Sequence, residues 1–314
     1  MQKSNREERL TFTIPSDGDG GMLVQQLINA ISLGGVYALL ALGLAIVFSI
    51  IGLINFAHGE LMTVSGYALL GALLLGVPLP AAVLGAVATA AVVALAMERV
   101  AFRPMRGASI TSLLLTSFAV SSLLKVIFQN GVSARPQPVS MPDWMTGAYE
   151  IGQLSIGVGP TISICSAALV LLALELFLKR TVTGTAMRAA AEDFDAVRLM
   201  GIAAGRVIAA AFALSGLLAG LAAMLWIAQR ASVDPLMGFT PVLKAFIATV
   251  VGGLGSLRGA VAGGFLLGAI EVGLQALLPD TMAPYRDAIV LSGVILILLV
   301  APAGVIPAPK ARRS

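Results

Sequence analysis

From Met22 onward the chain alternates long apolar runs with short polar interruptions. A helix needs about 20 apolar residues to cross a bilayer. The runs 22–50, 57–76, 80–98, 109–128, 160–178 and 207–229 meet that length, 242–278 is a nearly unbroken apolar stretch, and 285–302 is the last. The 242–278 stretch is long for one helix and is interrupted by GGLGSLRG, Gly252 to Gly259, so two spans or a re-entrant pair both fit it. The pattern predicts an all-α polytopic membrane protein, a bundle of about eight to nine transmembrane helices. Residues 1–21 are polar with charges of both signs and read as a disordered tail. Residues 22–304 read as one transmembrane domain and 305–314 as a basic tail. The first apolar run is too long for a cleaved signal peptide and reads as a retained span.

Composition agrees with that reading. The hydrophobic fraction is 58% and the charged fraction 11%, whereas a soluble domain carries roughly a quarter charged residues. Too few polar residues exist to cover a water-exposed surface, which excludes a soluble enzyme, a disordered chain and a nucleic-acid binder. The basic residues set topology. Arg99, Arg103 and Arg106 mark one cytoplasmic loop, and Lys179, Arg180, Arg188, Arg198 and Arg206 mark another at 179–206. Lys310, Arg312 and Arg313 place the C-terminus inside as well. Residues 129–159 carry Arg135 as their one base and read as an external loop, either a docking surface or a cap over the bundle. Parity between these sides asks for two crossings or none in 242–278; two put Arg258 at a cytoplasmic turn. Carried backwards, the same parity puts the N-terminus outside.

Three polar or glycine-rich segments stand out. Asn55, His58 and Glu60 lie between two long apolar runs. A buried polar group without a partner costs several kcal/mol, on the order of 2–7. These three are therefore candidates for a translocation path, or else form a helix-boundary turn with local hydrogen bonds; both readings stay open. Gly184 to Ile202 favours a short cytoplasmic helix over 186–202, through its alanines, Arg188, Glu192 and Leu199. Gly201 is a helix stop. The acids at its centre disfavour a lipid surface and favour a groove on a soluble partner. In the third segment Gly255, Gly259 and Gly263 repeat every four residues, as do Gly264 and Gly268, making a face for close helix packing. It lacks the G-x-x-x-x-G-K-[ST] order, which speaks against nucleotide binding.

The isolated charges Lys125, Glu175 and Lys244 lie near span ends, where snorkelling suffices. Glu271 is deeper and is the candidate intramembrane acid, with a structural ion pair or hydrogen bond as its alternative. The single cysteine, Cys165, and single histidine, His58, exclude a disulfide and a Cys- or His-cluster metal site. No H-E-x-x-H is present, so an intramembrane metalloprotease is disfavoured; a serine protease has only Ser65 and His58 to draw on.

Five stretches, GGVYALLALGLAIVFSIIGLINFAHGE, ERVAFRPMRG, AAAEDFDAVRLMGI, LKAFIATVVGGLGSLRGAVAGG and YRDAIVLSGVILILLVAPAGV, resemble the LivH-type permease family, membrane subunits of branched-chain amino acid ABC importers. The resemblance is collinear from about Gly34 to Gly304. It implies a transport subunit of a bacterial inner membrane, without ATPase activity or cofactor of its own, ATP being used by its partners. It implies as partners a second permease of the LivM type, two cytoplasmic ABC ATPases and a periplasmic solute-binding protein, besides membrane lipid. Ala189 to Ile202 then corresponds to the helix that docks on an ATPase, with Ala189, Ala190, Glu192, Asp193, Asp195, Arg198, Leu199 and Gly201 as coupling residues. The family's solutes are branched-chain amino acids, other amino acids or small amides such as urea. The charged N-terminal tail departs from the family. The rival is an autonomous transporter or channel, which has no need of the 186–202 helix.

Overall fold

The computed structural model describes residues 19–151 and 154–300. The 305–314 tail and residues 1–18 of the N-terminal tail lie outside them, whereas Asp19 to Gly21 already belong to the first helix. The chain is mostly helical. The long helices are α1 (Asp19–Ile51), α2 (His58–Leu74), α3 (Leu79–Met97, prolonged by a π-helical turn Glu98–Phe102), α4 (Ile110–Gly131) and, after the short α5 (Asp143–Thr146), α6 (Val158–Arg180). Two short helices follow, α7 (Val182–Glu192) and α8 (Phe194–Leu199). The chain continues through α9 (Ala204–Arg230), α10 (Phe239–Gly252), α11 (Leu257–Leu277) and α12 (Arg286–Val300).

Among the described residues six helices are long and apolar enough to cross a membrane: α1, α3, α4, α6, α9 and α11. The expected eight to nine spans are thus not all present as full-length helices. α2 has 17 residues, α10 has 14 and the described part of α12 has 15. At about 1.5 Å per residue, α10 reaches roughly 21 Å, short of the roughly 30 Å hydrocarbon core. The 242–278 stretch therefore resolves as a short helix and a long one. They run antiparallel, Gly252 facing Gly259 and Ala248 facing Gly263.

Sequence explains the joint. Gly253 and Gly255 take φ values of +113° and +85°, a region that side chains with Cβ avoid. Ser256 then caps α11, its hydroxyl accepting from the Gly259 N–H at 3.0 Å. Gly255 lies in this turn, before the helix, and so is not part of the packing stripe predicted for it. Gly259 and Gly263 back onto α10, while Gly264 and Gly268 back onto Ala38 and Gly34 of α1. A side chain on any of these four would meet backbone, so the small-residue pattern serves two faces of α11.

Burial separates the helices into two groups. In their most apolar windows, α1 is 83% buried and α9 67%, against 11% for α4, 22% for α6, 28% for α3 and 33% for α11. α1 and α9 are therefore the central helices and α4 is the outermost of the six. Gly216 and Gly220 of α9 let α3 approach through Ala90, Ala91 and Val87. α2, although polar in places, is buried from His58 through Tyr67. In the 129–159 segment, Gln137–Pro138 pairs with Ser232–Val233 after α9, and Ala148–Ile151 pairs with Leu154–Gly157. Val139 is 3% exposed and Met141 and Met145 line an apolar cavity over α3 and α9, so the segment caps one end of the bundle.

Candidate functional site

α1 stops at Gly52, whose φ is +67° and whose N–H donates to the Phe48 carbonyl at 2.8 Å. The chain then runs without helix to α2. Asn55 closes this link locally: its Oδ1 accepts from the Ala57 N–H at 3.1 Å, and its carbonyl accepts from the His58 N–H. Ser117 of α4 ties the link down, accepting from the Phe56 N–H at 3.3 Å. Asn55 therefore has the hydrogen bonds of a helix-boundary turn.

His58 and Glu60 are buried at the start of α2. His58 Nδ1 lies 2.9 Å from Ser215 Oγ of α9. Its ring occupies the space that a side chain at Gly43 would take, 2.5 Å from a Cβ built there. Glu60 accepts from Ser121 Oγ at 2.9 Å and lies 3.5 Å from Lys125 Nζ. Lys125 also stands 4.0 Å over the Phe239 ring. His58 Nε2, Glu60 Oε2 and the hydroxyls of Thr63, Ser65 and Tyr67 have no hydrogen-bond partner among the described residues. α2 thus carries a line of buried polar groups into the bundle.

Glu271 belongs to a different cluster. Its carboxylate accepts from the Tyr37 hydroxyl at 2.9 Å and pairs with Lys244 Nζ at 2.7 Å; Lys244 is 3.1 Å from Asp287 as well. Lys244 and Glu271 side chains are only 11% and 14% exposed. They line a polar cavity of about 460 Å³ together with Trp226, Arg230, Asp234 and Thr240. The Arg230 guanidinium lies 3.7 Å over the Trp226 ring. The site therefore offers both charge signs within one cavity.

The snorkelling expected of Lys125 and Lys244 does not occur. Both turn inward onto acids, because the desolvation of a buried carboxylate is offset by an adjacent cation. A signal for the first pair was available: Ser117, Ser121 and Lys125 recur every four residues, a polar stripe down an apolar helix. Tyr37, Ser121 and Ser215 were missed as partners.

The segment between α6 and α9 is two helices and not the single helix expected over 186–202. Thr181 caps α7, accepting from the Gly184 N–H at 3.0 Å, and Gly184 packs against the Phe177–Leu178 backbone. Asp193 leaves helical geometry and caps α8, accepting from the Ala196 N–H at 2.8 Å. Gly201, at φ +80°, turns the chain toward α9. Of the candidate coupling residues, Ala190 is buried and Ala189 half-buried against the bundle. Glu192, Asp193, Asp195, Arg198, Leu199 and Gly201 are exposed, Leu199 at 88%. Arg198 pairs with Asp195 at 3.6 Å. Phe194 and Arg198 also line a cavity of about 630 Å³ with Ile50 and Ile51 of α1 and the Glu98–Arg106 ion pair. The end of α1 therefore lies at the same end of the bundle as this segment.

Six long apolar helices around two inward-turned ion pairs, with a charged and apolar segment exposed at one end, describe a multi-pass membrane protein. The family model described as branched-chain amino acid transport system / permease component matches residues 26–300, and the chain belongs to that family. It is 35% identical over 307 residues to the high-affinity branched-chain amino acid transport system permease protein BraD of Pseudomonas aeruginosa, covering 92% of this chain and 97% of that one. It is 33% identical over 306 residues to the LivH permease proteins of Escherichia coli and Salmonella typhimurium, with the same coverage.

Proposed function

We propose that this chain is the membrane-spanning permease subunit of an ATP-driven importer in a bacterial inner membrane, moving branched-chain or related amino acids. The observation that carries the reading is the collinear family match over nearly all of the described chain. The chain hydrolyses no ATP itself; two cytoplasmic ATPases do so, a second permease of the LivM type completes the path, and a periplasmic binding protein delivers the solute. The exposed Glu192-to-Leu199 surface is the ATPase contact. Two buried ion pairs favour an autonomous transporter only weakly, because each charge is already neutralised by its partner.

Closure of the ATPases pushes on α8. Gly201 joins α8 to α9, and α9 holds the start of α2 through the Ser215–His58 hydrogen bond. A displacement at the cytoplasmic end thereby reaches His58 and Glu60, which we read as bordering the path, while Asn55 serves the turn before them. Beside the Lys244–Glu271 pair the cavity presents Arg230 and Asp234, neither ion-paired among the described residues, and so suits a zwitterion whose carboxylate and ammonium groups each find an opposite charge there.

The test is uptake of labelled leucine by cells expressing the full importer, with affinity capture of the chain from its membrane. The expected outcome is co-purification of two ATPases and a second permease, and loss of uptake in Glu192→Arg with the protein still inserted. Purification of the chain alone, or normal uptake by that variant, overturns the coupling assignment.

A further inference from the structure

A second crevice, of about 540 Å³, lies at the end of the bundle that carries α7 and α8, bounded by the last turns of α6, by α7 and by the start of α11. Its wall is apolar: Leu171, Leu172, Leu174 and Leu257 contribute to it. Its rim is basic, with Lys179, Arg188 and Arg258 against the single acid Glu175. Glu175 is paired with Lys179. Arg188 and Arg258 have no acid within ion-pair distance among the described residues, and both are exposed. The charge left over on the rim is therefore about two positive.

The apolar wall continues along the outer face of α6. Leu169 is 67% exposed, Leu172 55% and Leu176 48%. In a helix this apolar and only 22% buried, such a face meets acyl chains. Guanidinium groups bind phosphate oxygens through paired N–H donors, and basic pockets between helices at the cytoplasmic side suit anionic head groups. A soluble phosphate would leave the leucine wall uncovered, and a zwitterionic lipid would bring a cation of its own beside the arginines and leave the net charge of the rim unchanged.

We infer that this crevice is a binding site for one anionic phospholipid of the cytoplasmic leaflet, its phosphate on Arg188 and Arg258 and an acyl chain along Leu171, Leu172 and Leu174. Arg188 lies on α7, one turn before the exposed Glu192-to-Leu199 surface, so the bound lipid fastens α7 to α6 and α11. The site is independent of the solute that the protein carries.

The experiment uses the assembled transporter in nanodiscs. Leu172→Trp is introduced as a reporter at an exposed position, and its fluorescence is read with brominated-chain phosphatidylglycerol or brominated-chain phosphatidylcholine, relative to the unsubstituted protein. Phosphatidylglycerol is expected to quench at a lower mole fraction than phosphatidylcholine, by about tenfold or more given two arginines at the surface. Arg188→Gln with Arg258→Gln is expected to abolish that preference while the reporter stays quenched by either lipid at high mole fraction. Native mass spectrometry of the protein without any substitution supplies a second reading: phosphatidylglycerol is retained after delipidation that removes phosphatidylcholine. Equal quenching by the two lipids, or a preference that survives the double substitution, overturns the proposal. Displacement of the lipid by glycerol phosphate in solution reassigns the rim to a soluble anion and overturns it too. Crosslinking from Leu172→Cys to a second permease subunit puts protein where the acyl chain belongs, with the same result.

Discussion

The α10–α11 turn and the α8–α9 turn break helices by the same means and use it for opposite ends. Each relies on glycine at positive φ, Gly253 and Gly255 in the first and Gly201 in the second. Around the first, Gly252, Gly259 and Gly263 press backbone on backbone, so any Cβ strikes a main-chain atom. Around Gly201 nothing lies within 4 Å of a built Cβ. One turn is closed by packing and cannot shift without separating two helices. The other is held by its dihedral and its own turn hydrogen bonds, Gly201 N–H to the Arg198 carbonyl at 3.1 Å and Ile202 N–H to the Val197 carbonyl at 3.3 Å, with no neighbouring helix pressed against it. A glycine in a sequence does not announce which of these it is; only the neighbouring chain does.

The sharpest way to break the comparison is Gly259→Leu. Its side chain has no room between α11 and the Gly252 carbonyl. The ordinary destabilisation by overpacking is about 1–3 kcal/mol, and a fixed backbone neighbour leaves no side chain to move aside, so the effect should exceed that range. The expected result is loss of folded, monodisperse protein by fluorescence-detected size exclusion. Normal yield and assembly would remove the closed-turn reading.

Next in size is the interior ion pair. Lys244→Met leaves Glu271 with the Tyr37 hydroxyl but no cation. Breaking one half of a buried pair typically removes about 3–5 kcal/mol, and replacing both halves by apolar groups restores much of it. Thermal unfolding in detergent should therefore fall for Lys244→Met and recover in part for Lys244→Met with Glu271→Leu. Lys179→Met, at a pair half exposed to solvent, should leave the transition where it is. Equal losses at the two sites would mean that Lys244 and Glu271 are hydrated in the working protein.

Ser215→Ala removes the partner of His58 Nδ1. Hydrogen bonds between membrane helices average about 0.6 kcal/mol and reach about 1.7, so the stability change should be small. If α9 moves α2 through this bond, uptake should fall by more than the stability loss explains. Uptake in proportion to the folded protein would leave the bond a structural one.

How far the sequence was legible depends on what each feature is made of. The long spans follow from apolar runs, and α3, α4, α6 and α9 fall within a few residues of them. The end of α10 was legible, because GGLGSLRG interrupts the 242–278 stretch where Gly253 leaves helical geometry; whether a full span or a shorter helix precedes it was not, because FTPVLKAFIATVVG is as apolar as a full span. The 186–202 helix was half legible. Alanine propensity carries α7 correctly to Glu192, but Asp193 gains more from capping α8 than from continuing the helix. Asn55, His58 and Glu60 stood out as polar residues between apolar runs, and all three are buried, Asn55 in the link before α2 and the other two in its first turn. The partners of Glu60 and His58, namely Ser121, Lys125 and Ser215, lie 61, 65 and 157 positions further along the chain, a separation that periodicity within one helix cannot bridge.

The structural effect at Gly201 is also modest, and it separates conformation from docking. Gly201→Ala meets no atom but must hold φ near +80° with a Cβ, a strain of roughly 1–2 kcal/mol per residue. Gly201→Arg carries the same backbone strain and adds a bulky cation to the surface proposed to meet the ATPase. Both variants should insert and purify alike, with unfolding transitions lowered by a similar small amount. Their uptake should differ, Ala retaining most of it and Arg losing it. If both lose uptake equally, the dihedral itself is what transport needs and the turn is as constrained as its α10–α11 counterpart. If only Arg does, Gly201 is open in the way its empty surroundings indicate, and the exposed face of α8 is where force enters the bundle.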